Sequence, residues 1–236
     1  MTHRVTLRAR AALVDVEGTT SPIAFVHDVL FPYAAQHLAS YVSAHREERA
    51  VADALRDAAA LAGERADVDD ATVIGHLQQW SAEDRKATPL KTLQGLIWGA
   101  GYRSGALRGA VYPDAAAGLR RWHDAGVQLA VYSSGSVAAQ RMLFAASDRG
   151  DLSALFSAHF DTTTGPKREP ASYRAIAEAL RLGAAEIVFL SDVDAELDAA
   201  REAGMATLRL LRPGDTADAT TTHLAVPSFA EVDVAP

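Results

Sequence analysis

At 236 residues, 49% hydrophobic and 22% charged, the chain can bury a sizeable core, in one domain or in a domain carrying a smaller inserted one. A net charge of −7 speaks against a general nucleic-acid binder and means that an anionic substrate must find a locally positive site. Cysteine is absent, which excludes disulfides and thiolate chemistry, and no apolar run approaches the roughly 20 residues of a membrane helix.

In chain order, MTHRVTLRARAALVD carries basic residues but no signal-peptide pattern, so a cytoplasmic protein that touches no membrane is expected. AALVD (11–15) is the first predicted strand. Between about residues 22 and 110 the strand signal stops, and the spacing reads as helices: FVHDVLFPYAAQHLASYVSAH, REERAVADALRDAAALAGE, DDATVIGHLQQWSAEDR and TPLKTLQGLIWGAGYRSG. Continuous apolar runs then return at VQLAVYSSG (127–135), AHFDTT (158–163), EIVFLSD (186–192), ATLRLLRPG (206–214) and THLAVPS (222–228). Unbroken apolar runs are how strands buried on both faces of a parallel sheet read. Helical patterns at 115–126, 136–147, 172–183 and 194–204 separate them, several ending in a glycine suited to a C-cap. RPGDTADATTTH is expected to be a surface loop. The reading is a doubly wound α/β core, residues 1–21 and 111–236, with a helical insert at 22–110 between the first strand and the rest.

Ligands of parallel α/β sheets bind beyond the carboxyl ends of the strands. The first strand delivers Asp15 and Glu17 there, and the second delivers Ser133, Ser134 and Gly135. The loop after the third delivers Lys167, one of only three lysines, and the fourth delivers Asp192. Residues two apart at a strand end face one side, so Asp15 and Glu17 can address one site. Asp15 and Asp192, from neighbouring strands, can hold magnesium, which takes few carboxylates, several waters and a phosphate. Ser-Ser-Gly leading into a helix suits an anion, Lys167 adds positive charge, and Gly18 lets the chain turn sharply out of the sheet. Together these point to phosphoryl transfer through an aspartyl-phosphate. Asp194, Glu196 and Asp198 read as helix-start acids, and the histidines show no metal-ligand spacing.

DVEGTTSPIAFVHDVLFPYA, IWGAGYRSGALRGAVYPDA, VYSSGSVAAQRMLF, DTTTGPKREPASYRAIA and IVFLSDVDAELDAAREAGM resemble, in order, the segments of the enolase-phosphatases of methionine salvage. These belong to the haloacid dehalogenase superfamily. Glu17 is the narrowing feature, since most phosphatases of the superfamily carry Asp there. The resemblance implies a Rossmann-like core with a helical cap inserted after the first strand. It implies enolisation and dephosphorylation of 2,3-diketo-5-methylthiopentyl 1-phosphate to an acireductone, with one Mg²⁺ per chain. Carried over, Asp15 is nucleophile and metal ligand. Glu17 gives a backbone carbonyl to the metal, and its carboxylate is the candidate proton shuttle, with a residue of the helical cap as the alternative for removing the proton in enolisation. Ser133, Ser134 and Lys167 bind the phosphate, Asp192 is the second metal carboxylate, and Glu196 stands behind them. Phe25, Phe31 and Trp98 are candidates for an apolar wall around the methylthio tail. A monomer acting on a small phosphorylated molecule, with no nucleic-acid or membrane partner, is expected. The alternative is a phosphatase of the same superfamily acting on another small ester. No GxGxxG follows the first strand and no P-loop is present, which removes the nucleotide-binding readings.

Overall fold

Ala11–Val14 is buried at every position, as a strand covered on both faces must be. It lies at the centre of the sheet seen in the computed structural model, which describes residues 4–212 and 221–236. The strands are β1 (Val5–Arg8), β2 (Ala11–Val14), β3 (Gln128–Tyr132), β4 (Phe156–Phe160), β5 (Ile187–Ser191), β6 (Ala206–Leu210), β7 (Leu224–Val226) and β8 (Val232–Ala235). Six of them form a parallel sheet in the order β4-β3-β2-β5-β6-β7. The chain winds outward from β2 through β3 to β4, then crosses back and winds the other way from β5. That reversal opens a crevice at the carboxyl ends of β2 and β5.

The expectation that the strand at Ala11 is the chain's first is corrected. β1 precedes it and pairs in parallel with β8 in a separate two-stranded sheet. Both strands are four residues long, and β1 alternates half-buried and exposed positions between arginines. So short a polar stretch has no strand signal of its own and is strand only because β8 lies beside it.

The chain divides into two compact units, residues 24–107 and residues 1–23 with 108–236. The first is all-helical. A single turn α1 (Ile23–Phe25) and a π-helical turn at Val26–Leu30 lead into α2 (Phe31–Ala44), followed by α3 (Arg49–Ala62), α4 (Asp70–Ala82) and α5 (Thr88–Ser104). Its core comes from helical spacing: Ala34, Leu38 and Val42 on α2, Val51 and Leu55 on α3, Leu93 and Ile97 on α5. His37 and His45 stack on Tyr33 and Tyr41 one turn earlier.

In the other unit, α6 (Pro113–Asp124), α7 (Val137–Ala145), α8 (Pro170–Leu180) and α9 (Asp194–Glu202) alternate with the strands. Trp122 of α6 stacks on Phe229 at 5.2 Å, while Tyr173 of α8 meets Tyr132 and Phe189 of the sheet. α8 ends differently from the glycine stop read in the sequence. Arg181 takes the left-handed conformation at φ 59°, and Gly183 starts the next turn at φ −68°. Of the expected surface loop, residues 213–220 lie outside the described residues. Among the described residues no helix is long and apolar enough to cross a membrane.

Candidate active site

Asp15 is the first residue past β2. Its amide still donates to Leu190 O at 2.9 Å, so the sheet itself fixes where its side chain starts. The carboxylate is 6% exposed. Its Oδ1 accepts the Val16 amide at 2.7 Å and pairs with Lys167 Nζ at 2.8 Å. Its Oδ2 faces the Ser191 hydroxyl at 3.2 Å. Lys167 also pairs with Glu196 at 2.6 Å, and Ser191 lies 3.3 Å from the same Glu196 carboxylate. The single Ser191 hydroxyl proton can serve only one of the two acids at a time.

One lysine between two acids leaves a net negative cluster in a nearly dry place. Burial works against the charge on Lys167, but Asp15 and Glu196 outweigh it and hold the ammonium pKa above its ordinary value. Glu196 is pushed up to about 7, first by burial and then by the Asp15 charge, with Lys167 pulling the other way. The loop carrying Lys167 is tied down from below. Tyr173 Oη donates to Lys167 O at 2.7 Å, Tyr132 Oη to Gly165 O at 2.9 Å, and Ser172 Oγ to Pro166 O at 2.8 Å.

After Asp15 the chain folds onto itself. Val16 O accepts the amides of Thr19, Thr20 and Ser21 at 3.3, 2.9 and 2.8 Å. Gly18 sits at φ +70°, and a Cβ there would lie 2.1 Å from Asp192 Oδ2. Only glycine lets the backbone turn this way and leaves room for that carboxylate. Thr19 Oγ1 donates to Asp192 Oδ1 at 3.3 Å. The bend begins at Val16, so strand alternation ends before Glu17, and Glu17 stands half-buried in the turn, bridged to Ser21. The argument that Asp15 and Glu17 face one side because they are two apart in a strand therefore does not carry here.

Past β3, Ser133 is buried and Ser134 exposed. The Ser133 amide donates to Phe160 O at 3.2 Å, and its hydroxyl accepts the Gly135 amide at 3.2 Å. Ser136 caps α7 by accepting the Ala139 amide. Gln140 donates to both Gly135 O and Phe160 O at 2.8 Å, holding the serine loop against the end of β4. A hydroxyl-bearing loop at a helix start is a ready anion seat.

Contacts thus gather Asp15, Lys167, Ser191 and Glu196, while Asp192 lies against Gly18 and Thr19. Glu196 is not the solvated helix acid that its position suggested. Asp194 and Asp198 stay outside this cluster, paired with Arg209 and Arg201. Ser191 and Thr19 were missed. Ser191 had a signal, a polar residue closing the apolar run of β5 one position before Asp192.

The fold and the crevice define a class of hydrolase built on a carboxylate at the end of a central parallel strand, and the haloacid dehalogenase-like hydrolase family model matches residues 9–204. The chain is 57% identical to Enolase-phosphatase E1 of Pseudomonas aeruginosa over 94% of its own length and 97% of the relative's. It is 57% identical to Enolase-phosphatase E1 of Azotobacter vinelandii over 96% and 98%. The crystal structure of the UTR4 protein of Saccharomyces cerevisiae superposes with a TM-score of 0.79 at 33% identity, covering 93% of this chain and 98% of that one. The chain belongs to the enolase-phosphatase family of haloacid dehalogenase-like hydrolases.

Phosphatases of this family are generally magnesium-dependent. The donor chemistry fits. Asp15 and Asp192 leave adjacent strand ends, and the bare backbone of Gly18 makes the space in which Asp192 sits. Among the described residues no three His, Asp or Glu side chains form a metal cage. Two carboxylates and a carbonyl suit magnesium, which keeps waters and takes a substrate phosphate as ligand.

Proposed function

We propose that the chain is the enolase-phosphatase of methionine salvage, converting 2,3-diketo-5-methylthiopentyl 1-phosphate to the acireductone 1,2-dihydroxy-3-keto-5-methylthiopentene and phosphate. The observation that carries the chemistry is Asp15, buried at the end of the central strand and paired with Lys167 at 2.8 Å. The relatives' name, Enolase-phosphatase E1, supports the pairing of enolase and phosphatase activity.

Asp15 is the nucleophile. Its carboxylate oxygen attacks phosphorus, the bond from phosphorus to the enol oxygen breaks, and an aspartyl-phosphate forms. Water then attacks phosphorus, releasing phosphate and restoring the carboxylate. Lys167 offsets the repulsion between an anionic nucleophile and an anionic phosphate. Ser133, Ser134 and the start of α7 receive the phosphate oxygens. Glu17 is the proton carrier: in the enolisation it takes the proton from carbon and returns it to the neighbouring carbonyl oxygen, and in the dephosphorylation it gives a proton to the leaving enol oxygen and takes one back from the attacking water. Asp15, Asp192 and the Glu17 carbonyl are the residues that would hold one Mg²⁺ per chain. When bound, the ion supplies positive charge beside the phosphate.

The helical unit is the candidate for the cap. Phe31 and Trp98, whose rings lie 6.0 Å apart, are its first candidates for the methylthio group, ahead of the more buried Phe25. Alanine at Phe31 or Trp98 is expected to raise KM for the methylthio substrate more than for a short phosphate ester. A cytoplasmic monomer completes the reading. The direct test is an acid quench during turnover followed by mass spectrometry. A phosphate adduct on the peptide containing Asp15 supports the mechanism, and an adduct elsewhere overturns it.

A further inference from the structure

We propose that Arg212 is a positioning residue for Asp192, acting through Thr19. The inference rests on the reading of Asp192 as a magnesium ligand.

Past Asp15 the turn spends the amides of Thr19, Thr20 and Ser21 on its own Val16 O. Thr19 is fully buried, and its carbonyl must be met from outside the turn. Arg212, two residues past β6 and itself 5% exposed, meets it with two nitrogens, Nε at 3.1 Å and Nη2 at 2.5 Å. The guanidinium is immobilised on every side. Its third nitrogen, Nη1, donates to Asp114 at 2.7 Å, Tyr112 lies 4.0 Å beneath it, and Phe229 is 5.4 Å away. Asp114 is fixed in turn by Ser228 Oγ at 2.9 Å and the Phe229 amide at 2.8 Å. Next along the turn, Thr20 O accepts the Tyr112 amide at 2.9 Å.

Thr19 therefore links two functions. Its carbonyl is held by Arg212, and its hydroxyl donates to Asp192 Oδ1. On Asp192's other oxygen, Gly18 presses with bare backbone. Releasing the carbonyl loosens the two residues against which the carboxylate is seated. Lysine cannot replace the planar fork, because a point charge cannot hold a carbonyl with two donors and a carboxylate with a third. Groups that orient a metal ligand from behind typically change affinity or activity by about 10–100-fold when lost.

The test is Mg²⁺ binding without substrate, followed by calorimetry and by the Mg²⁺-induced rise in Tm. Wild type is compared with Arg212→Lys, Asp114→Asn and Thr19→Val. The expected result is a Kd weakened about 10-fold in Arg212→Lys and in Thr19→Val, and less in Asp114→Asn. The double variant Arg212→Lys/Thr19→Val should bind no more than about twofold more weakly than either of its single variants, because both cut the same link. A lower Tm with Mg²⁺ affinity unchanged would make Arg212 merely structural and overturn the proposal. If Arg212→Lys does not fold, Asp114→Asn decides, since it keeps the arginine but removes the charge that orients it. Failure of wild type to bind Mg²⁺ would instead remove the ligand reading itself, and the proposal with it.

Discussion

At the scale of residues, one cation between two buried acids defines the site. Lys167, its side chain 9% exposed, binds both Asp15 and Glu196 and offsets the repulsion between them. Lys167→Met leaves two carboxylates facing each other with no cation, so Glu196 should take up a proton at a still higher pH. Losing one partner of such a buried pair costs on the order of 3–5 kcal/mol. Urea unfolding of Lys167→Met and of Lys167→Met/Glu196→Gln measures this, and the double variant is expected to recover part of the loss. Asp15→Asn keeps the shape of the nucleophile but not its charge. Turnover should fall at least about 10³-fold with the Tm little changed. Gly18→Ala should cost about 100-fold in kcat, since its methyl group and Asp192 cannot occupy the same space.

At the scale of elements, much of the architecture was legible from pattern. The buried run at Ala11–Val14 has no polar residue and that of β5 only its closing serine, and the insert reads as helix because its apolar residues recur every third and fourth position. What escaped was set by partners far away in sequence. β1 is strand because residues 232–235 lie beside it, and Glu196 joins the candidate site because Lys167 reaches it from another loop. Neither fact has a local signal. The edge strand β4 carries one titratable liability. Burial, with Arg141 nearby, lowers the pKa of His159, and its Nε2 is buried without a hydrogen-bond partner. The folded pKa lies below the unfolded 6.5, so the folded state resists protonation. Stability is full above pH 6.5 and is lost as pH falls through the window beneath it. His159→Leu should therefore show a smaller drop in Tm between pH 7.5 and 5.5 than wild type, by paired thermal melts. An equal drop in both would show that this histidine does not matter to acid stability.

At the scale of the whole molecule, the proposed chemistry falls where the winding of the sheet reverses, and its candidate residues come from four strand ends. The sequence could announce Asp15, Ser133, Lys167 and Asp192 because each closes an apolar run or stands in a loop just beyond one. It could not announce the framework that aims them. Arg212 and Thr19 act through hydrogen bonds across more than 170 positions of chain, as Thr19 to Asp192 and Arg212 to Thr19 illustrate. A net charge of −7 makes that framework more necessary, because the field of the molecule as a whole repels a phosphate.

The most direct measurement gives purified protein 2,3-diketo-5-methylthiopentyl 1-phosphate, with and without Mg²⁺, and follows the ultraviolet band of the enol together with free phosphate. The expected result is enol formation accompanied by Mg²⁺-dependent phosphate release, both lost in Glu17→Gln and phosphate release lost in Asp15→Asn. Phosphate release from simple esters with no enol from the diketone would leave a phosphatase of this fold and overturn the bifunctional assignment.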